Sequence, residues 1–165
     1  MQADRGAQAG QSRRFGQEQR DFLAHGVDVT LLTSATGFNA RDGAETDARV
    51  HVVHVGTGRA VDVIAEARSD GLPMSGETCP HFLEFTAEDL ARQGAVLKTA
   101  PVVKSAADRD RLWQAVRSGE LDYVATDHAA GQWPEEKHTG SIWTDYGGVP
   151  GVELLLPYLY SQGVA

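Results

Sequence analysis

The sequence predicts an α/β fold in which parallel strands alternate with helices. Short β-branched runs are followed by segments with helical periodicity, and this alternation recurs along the second half of the chain. The chain has 165 residues, of which 41% are apolar, so it can form one domain with a hydrophobic core. It is shorter than the roughly 250 residues typical of a complete eight-stranded α/β barrel.

The first part of the chain, residues 1–44, is predicted to be a divergent leader that is partly flexible. Residues 1–16 are polar and carry glycine, with few apolar side chains to fix them to a core. A short helix over residues 17–25 and a weak strand over residues 27–33 are expected next. Residues 34–46 then have the composition of a loop.

The periodic signal becomes stronger after residue 45. Residues 49–55 form a β-branched run typical of a strand. A helix follows, with Val61 and Ile64 on its apolar face and Gly71 at its end. Residues 72–78 are the next predicted strand. This order of strand, helix and strand is the unit of a parallel sheet.

The remaining elements continue the same alternation. Thr86 begins a short helix with an acidic residue three positions later, close to a capping box. A helix over residues 105–118 precedes a buried strand over residues 121–126. The last predicted helix covers residues 151–162, and Pro157 is expected to kink it.

Composition excludes several classes of function. Fifteen Lys and Arg against 23 Asp and Glu leave a formal charge of −8, which repels phosphates, so we expect no nucleic acid partner. No apolar run approaches the roughly 18 residues of a membrane span, so we expect no membrane partner. Cys79 is the single cysteine, which excludes a disulfide framework. The N-terminus lacks the apolar centre of a secretory signal, which predicts a cytoplasmic protein.

Residues that could carry chemistry follow the predicted strands. His54 comes near the end of one strand, and Asp127 and His128 follow the last one. Since the carboxyl ends of parallel strands share one edge of the sheet, an imidazole and a carboxylate there would suit zinc or another divalent ion. The alternatives remain a hydrogen-bonded core or surface histidine and an aspartate that caps a helix or lies in a loop. Strand alternation places His54 on the face of Val50 and Val52.

Other groups near these strand ends carry weaker signals. His81 follows Pro80 on a predicted strand-to-loop exit and could be a third ligand, a substrate donor or a loop residue. Cys79 is expected to be a buried thiol. Residues 135–138 are expected to form a solvated face, and residues 147–151 a turn whose amides could bind an anion at the last helix.

Taken together, the segments resemble the cyclic amidohydrolases, which include dihydroorotases, allantoinases and hydantoinases. The matching stretches are residues 51–55 (HVVHV), 76–83 (GETCPHFL), 97–101 (LKTAP), 125–129 (ATDHA), 140–143 (GSIW) and 147–153 (GGVPGVE). They cover about residues 45–165 in the family's order. The resemblance implies a partial TIM-type (β/α) barrel, formed by about its last three strand–helix units and lying in the C-terminal portion of the barrel.

The resemblance also implies roles for single residues. His54 matches a metal-binding histidine, and Asp127 matches a metal ligand that also acts as the catalytic base. His81, Ala100 and His128 lie in segments that bind substrate or border the site. The implied cofactor is zinc or another divalent metal, binuclear in the family. The family's His-x-His pattern does not occur in this sequence, so the binuclear ligand set is incomplete.

The implied function is metal-dependent hydrolysis of a cyclic amide C–N bond by an allantoinase-like or dihydroorotase-like enzyme in truncated form. The partner is then a small-molecule cyclic amide, and a homo-oligomer is compatible with the sequence. Ala100, Lys104 and Gly131 depart from the pattern of dihydroorotases. With only two matching ligands, this chain alone is expected to turn over substrate negligibly. The alternative is a non-catalytic amidohydrolase-like protein that serves as an assembly or scaffold.

Overall fold

The computed structural model describes residues 49–164, so the expected leader, helix and strand before residue 49 lie outside the described residues. The described strands form one parallel sheet in the order β1 (Val50–Val52), β2 (Met74–Thr78) and β3 (Tyr123–Val124). The α-helices and the 3₁₀ helix are α1 (Gly58–Ser69), α2 (Pro80–Glu84), α3 (Ala87–Gln93), the 3₁₀ turn Gly94–Leu97, α4 (Ala106–Ser118) and α5 (Leu155–Ser161). The predicted α/β class is therefore confirmed.

Helix α1 forms where the sequence predicts it, and it supplies much of the core. The Thr57 hydroxyl caps its first turn by accepting a hydrogen bond from the Ala60 amide at 3.1 Å. Val61 and Ile64 are fully buried on the face turned toward β2 and α4. A Cβ atom at Gly76 of β2 would lie only 2.8 Å from the Ile64 Cδ1 atom, so the helix packs directly on the strand backbone.

Local capping signals fix the next helices. Thr86 and Asp89 form the reciprocal capping box expected at the start of α3, with the Thr86 amide donating to the Asp89 carboxylate at 2.9 Å. Ser105 caps α4 by accepting from the Asp108 amide at 3.2 Å, and Gly119 ends the helix in a left-handed conformation, φ 76°. These ends match their predicted positions.

Two predicted elements are shorter and more exposed than expected. The third strand covers two residues, and Tyr123 is 62% exposed, so the expectation of a buried strand over residues 121–126 was wrong. The last helix begins at Leu155, well after residue 151. Pro157 therefore lies in its first turn, where a missing amide proton costs no helical hydrogen bond, and the expected kink has no basis.

Apolar side chains on the last part of the chain remain exposed. Val152, Leu154, Leu156 and Tyr160 are between 61% and 74% exposed, whereas Tyr158 and Leu159 pack against the core. Within residues 49–164, no helix has the length and apolar character needed to cross a membrane.

Candidate metal centre

The ends of the three strands bring a histidine, a cysteine–histidine segment and a carboxylate together. Asp127, three residues beyond β3, lies between the groups that follow β1 and β2. Its Oδ1 atom is 3.2 Å from His54 Nε2, and its Oδ2 atom is 3.9 Å from His81 Nε2. The two carboxylate oxygens thus face different imidazoles, and Asp127 is the centre of the cluster.

The backbone at His54 and Asp127 is strained in the same way. His54 has φ 55° and Asp127 has φ 45°, and among the described residues other than glycine only these two have positive φ. The left-handed region costs an L-residue roughly 1–2 kcal/mol, and such strain concentrates at functional sites. Because β1 ends at Val52, strand alternation does not set the direction of His54, and its place on the face of Val50 and Val52 stays a prediction.

Neighbouring hydrogen bonds hold Asp127 in this conformation. On one side, the Ala125 amide donates to the Thr78 carbonyl at 2.9 Å. On the other, the Ala129 amide donates to the Val149 carbonyl at 3.0 Å. The segment that carries Asp127 is therefore fixed both to β2 and to the chain around Val149.

His81 lies in the first turn of α2, not in the expected loop. Pro80 occupies the first helical position after Cys79, a placement that proline favours. The His81 side chain is 4% exposed, and its Nε2 atom has no hydrogen-bond partner among residues 49–164. Burial lowers the pKa of His81 to about 4, although the nearby Asp127 charge opposes the shift. A buried, unpaired imidazole nitrogen beside a carboxylate is a ready ligand for a cation.

Cys79 adds a sulfur atom to the cluster and is buried, as predicted. One ligand atom each from Cys79, His81 and Asp127 lie within 4.8 Å of one another. Burial raises the pKa of the Cys79 thiol to about 12, and the charges of Asp127 and Glu77 add to this effect. The thiol is therefore protonated at neutral pH.

The donor set fits a divalent metal of intermediate softness. Imidazole nitrogen and carboxylate oxygen ligands together suit zinc better than magnesium or calcium. Zinc bonds of about 2.0–2.1 Å in a tetrahedron place two ligand atoms about 3.3 Å apart. The 3.2 Å between His54 Nε2 and Asp127 Oδ1 is close to this spacing, and the 3.9 Å between His81 Nε2 and Asp127 Oδ2 is longer. The residues present are thus compatible with one bound ion.

Comparison with known proteins agrees with the matching segments of the sequence. No family model matches the chain. An allantoinase of Rubrobacter xylanophilus is 38% identical over 144 residues, which are 87% of this chain and 31% of the relative. An allantoinase of Streptomyces avermitilis is 34% identical over 150 residues, or 91% of this chain and 33% of the relative. The solved dihydropyrimidinase from Brevibacillus agri superposes with a TM-score of 0.77 at 31% identity, covering 90% of this chain and 35% of that one.

The chain belongs to the cyclic amidohydrolase family. It spans about a third of the length of the curated relatives it matches. As the resemblance implied, the fold is part of an amidohydrolase barrel and corresponds to its C-terminal part, and three of its parallel strands are described.

The other predicted residues of the candidate site are His128, which follows Asp127 directly, and Ala100. His128 is exposed, and its Nδ1 atom accepts hydrogen bonds from the Gly151 and Val152 amides at 3.1 and 3.2 Å. Ala100 is exposed and lies beside Gly147. A Cβ atom added to Gly147 would be 3.7 Å from the Ala100 Cβ atom. That His128 and Ala100 contact a substrate stays a prediction. The turn over residues 147–151 does not lead directly into α5, so an anion site at that helix is not formed.

A cavity of about 410 Å³ opens beside His81. Its apolar wall includes Pro80, Phe85, Val149 and Leu154, and Thr126 also lines it. The cavity therefore borders His81 on the side of α2. An uncharged part of a ligand could enter it there.

Sequence reasoning missed two features of the candidate site and its surroundings. The first is α2, which Pro80 directly after a strand would have indicated. The second is the burial of Lys137, which is 5% exposed although residues 135–138 read as a solvated face. No local signal marks Lys137, because its partners are carbonyl groups distant in the sequence.

Proposed function

We propose that the chain carries part of the active site of a metal-dependent hydrolase that cleaves the C–N bond of a cyclic amide. The observation that supports this most is the convergence of His54, His81 and Asp127 at the ends of three neighbouring strands. The named activities of the relatives, allantoinase and dihydropyrimidinase, point to allantoin or a hydantoin-like ring as substrate. Dihydroorotate is disfavoured because Ala100, Lys104 and Gly131 depart from the dihydroorotase pattern. The proposed location of the protein is the cytoplasm.

The proposed ligands of a divalent ion, zinc in the first place, are His54, His81 and Asp127. Three protein ligands are what a catalytic zinc site normally has. Bound there, a divalent ion would lower the pKa of a water molecule and polarise the ring carbonyl. Cys79 is left out of the proposed ligand set, because burial and two nearby carboxylates raise the pKa of its thiol in the metal-free chain.

Asp127 is the proposed general base. Its carboxylate accepts the proton of the attacking water and then returns that proton to the amide nitrogen as the ring opens. The strained backbone keeps the carboxylate between the two imidazoles, so its position is set before the substrate binds. His81 is proposed as the third ligand, which is one of the three roles that the sequence left open for it, and a complete mononuclear site would raise turnover above the negligible level expected for two ligands. We expect slow turnover that depends on Asp127.

A cobalt-substituted chain tests the ligands and the reaction together. The full chain is titrated with Co²⁺ and then assayed on allantoin and on a hydantoin. We expect visible absorption of four-coordinate cobalt without the near-ultraviolet band of a thiolate ligand, together with measurable ring opening. Asp127→Asn should abolish turnover, whereas the exposed carboxylate variant Glu88→Gln should retain it. Equal background rates for wild type and Asp127→Asn would overturn the hydrolase proposal.

A second candidate function is non-catalytic assembly. The exposed apolar side chains of Val152, Leu154, Leu156 and Tyr160 favour it, because a surface of this kind is typical of an interface. Light scattering of the purified chain distinguishes the two. A stable homo-oligomer that binds no divalent ion supports the scaffold, and a metal-binding chain with Asp127-dependent turnover supports the enzyme.

A further inference from the structure

Three charged side chains are buried together outside the proposed ligand set. Lys98, Lys137 and Asp145 are 8%, 5% and 3% exposed. Buried charges persist in proteins only when hydrogen bonds and opposite charges compensate the loss of water. We call these three residues the lysine cluster. Its contacts show what it holds in place.

The two ammonium groups of the lysine cluster bind main-chain carbonyls. Lys137 Nζ donates to the carbonyls of Gly148 and of Val96, the latter at 3.0 Å. Lys98 Nζ donates to the carbonyls of Ile142 and Asp145 at 2.6 and 2.5 Å. Lys98 thereby reaches a residue 47 positions away in the sequence, and Lys137 reaches one 41 positions away.

Asp145 supplies the negative charge of the lysine cluster. Its Oδ1 atom accepts hydrogen bonds from the Thr139 amide and hydroxyl at 2.7 and 2.9 Å. Burial lowers the pKa of both Lys98 and Lys137, and the Asp145 charge opposes that shift. The Asp145 carboxylate therefore favours the charged form of both lysines.

The segment fixed by Lys137 is the one that flanks Asp127. The Gly148 amide donates to the Lys98 carbonyl at 2.9 Å, so Gly148 is held through both its amide and its carbonyl. The next residue, Val149, accepts from the Ala129 amide at 3.0 Å. A Cβ atom at Gly148 would lie 2.4 Å from the Ala129 carbonyl oxygen, which shows how closely the two backbones approach.

We propose that Lys137 is a positioning residue for Asp127. Its ammonium group fixes Gly148, and the pairing of Val149 with Ala129 passes this constraint to the strained backbone of Asp127. The expected effect of Lys137 on metal binding rests on the proposed function. The expected constraint on the backbone around Asp127 does not depend on the proposed function.

Amide hydrogen exchange on the full chain tests the constraint directly. In Lys137→Met, the Gly148 and Ala129 amides should exchange at least about tenfold faster relative to the core amide of Leu112. The matched control is Lys104→Met, because Lys104 is also 5% exposed but lies near Asp108 at the start of α4. The control should leave the ratio unchanged. A second variant, Gly148→Ala, should raise the same two rates by forcing the backbones apart without altering Lys137.

Cobalt affinity provides the second readout. Lys137→Met should weaken Co²⁺ binding by about tenfold or more, the usual loss when a group supporting a ligand is removed, and Lys104→Met should not. Unchanged exchange ratios at Gly148 and Ala129 in Lys137→Met would overturn the positioning role, whatever the result for Gly148→Ala. So would an equal change in Lys104→Met. A wild-type chain that binds no cobalt would refute the proposed function, while the exchange ratios would still decide the role of Lys137.

Discussion

Replacing His54 by glycine is expected to give a more stable chain than replacing it by alanine. This reverses the usual order, in which glycine destabilises because the unfolded chain gains conformational freedom. His54 has φ 55°, a conformation that glycine adopts without steric cost and alanine does not. Both variants lose the imidazole and its contact with Asp127, so the difference between them isolates the backbone.

The magnitude follows from two opposing terms. The left-handed conformation costs alanine roughly 1–2 kcal/mol. Glycine avoids this cost but loses roughly 0.5–1 kcal/mol through its greater freedom in the unfolded chain. The net difference in the free energy of unfolding is therefore about 0.5–1 kcal/mol in favour of His54→Gly, equivalent to a few degrees in Tm.

Urea unfolding of the metal-free full chain, followed by far-ultraviolet circular dichroism, measures this difference. The matched control is the neighbouring residue Val53, which is exposed and does not have positive φ. There, the glycine variant should be less stable than the alanine variant by about 0.5–1 kcal/mol. If glycine were the less stable substitution at His54 as well, the backbone at this residue would not be strained and the reasoning would be refuted.

Three further predictions concern the core and the cluster. Gly76→Ala should lower the free energy of unfolding in urea by about 1–3 kcal/mol, because the new methyl group meets the Ile64 side chain. Adding Ile64→Val should recover part of this loss. If the free-energy changes of the two substitutions simply added, this packing would be contradicted. In the metal-free chain, the lowered pKa of His81, about 4, makes the unfolded state bind more protons between about pH 4 and 6.5. The free energy of unfolding should therefore fall by up to about 3 kcal/mol as pH drops through that range, and His81→Gln should remove this component; an identical pH dependence in the variant would contradict it. Because burial raises its pKa to about 12, Cys79 should not react with a disulfide reagent near pH 8 until urea is added, and rapid reaction of the native chain would show that the thiol is accessible.

Elements determined by local signals could be predicted from the sequence. Helix α1, the capping box of Thr86 and Asp89, and the ends of α4 depend on periodicity and on side chains within one turn. The short third strand could not be predicted in the same way. Its apolar residues are those of a buried strand, but only two of its residues pair with β2 in the described part of the chain.

The site shows the same division. The approach of His54 to Asp127 follows from their places beyond the carboxyl ends of β1 and β3, which flank β2 in one parallel sheet. The direction of His54 does not follow from alternation, because β1 ends at Val52 and His54 has a left-handed backbone. The burial of Lys137 depends on carbonyl groups of Val96 and Gly148, and the charged residues beside it in the sequence indicated the opposite.

Zinc binding is the measurement that tests the central proposal most directly. Equilibrium dialysis of the full chain against zinc, with metal analysis of the protein fraction, gives both stoichiometry and affinity. We predict one zinc ion per chain, with affinity reduced at least about tenfold in Asp127→Asn and in His81→Gln and unchanged in Glu88→Gln. A wild-type chain that retains no zinc, or one whose affinity is the same in Asp127→Asn, would contradict the assignment of His54, His81 and Asp127 as metal ligands.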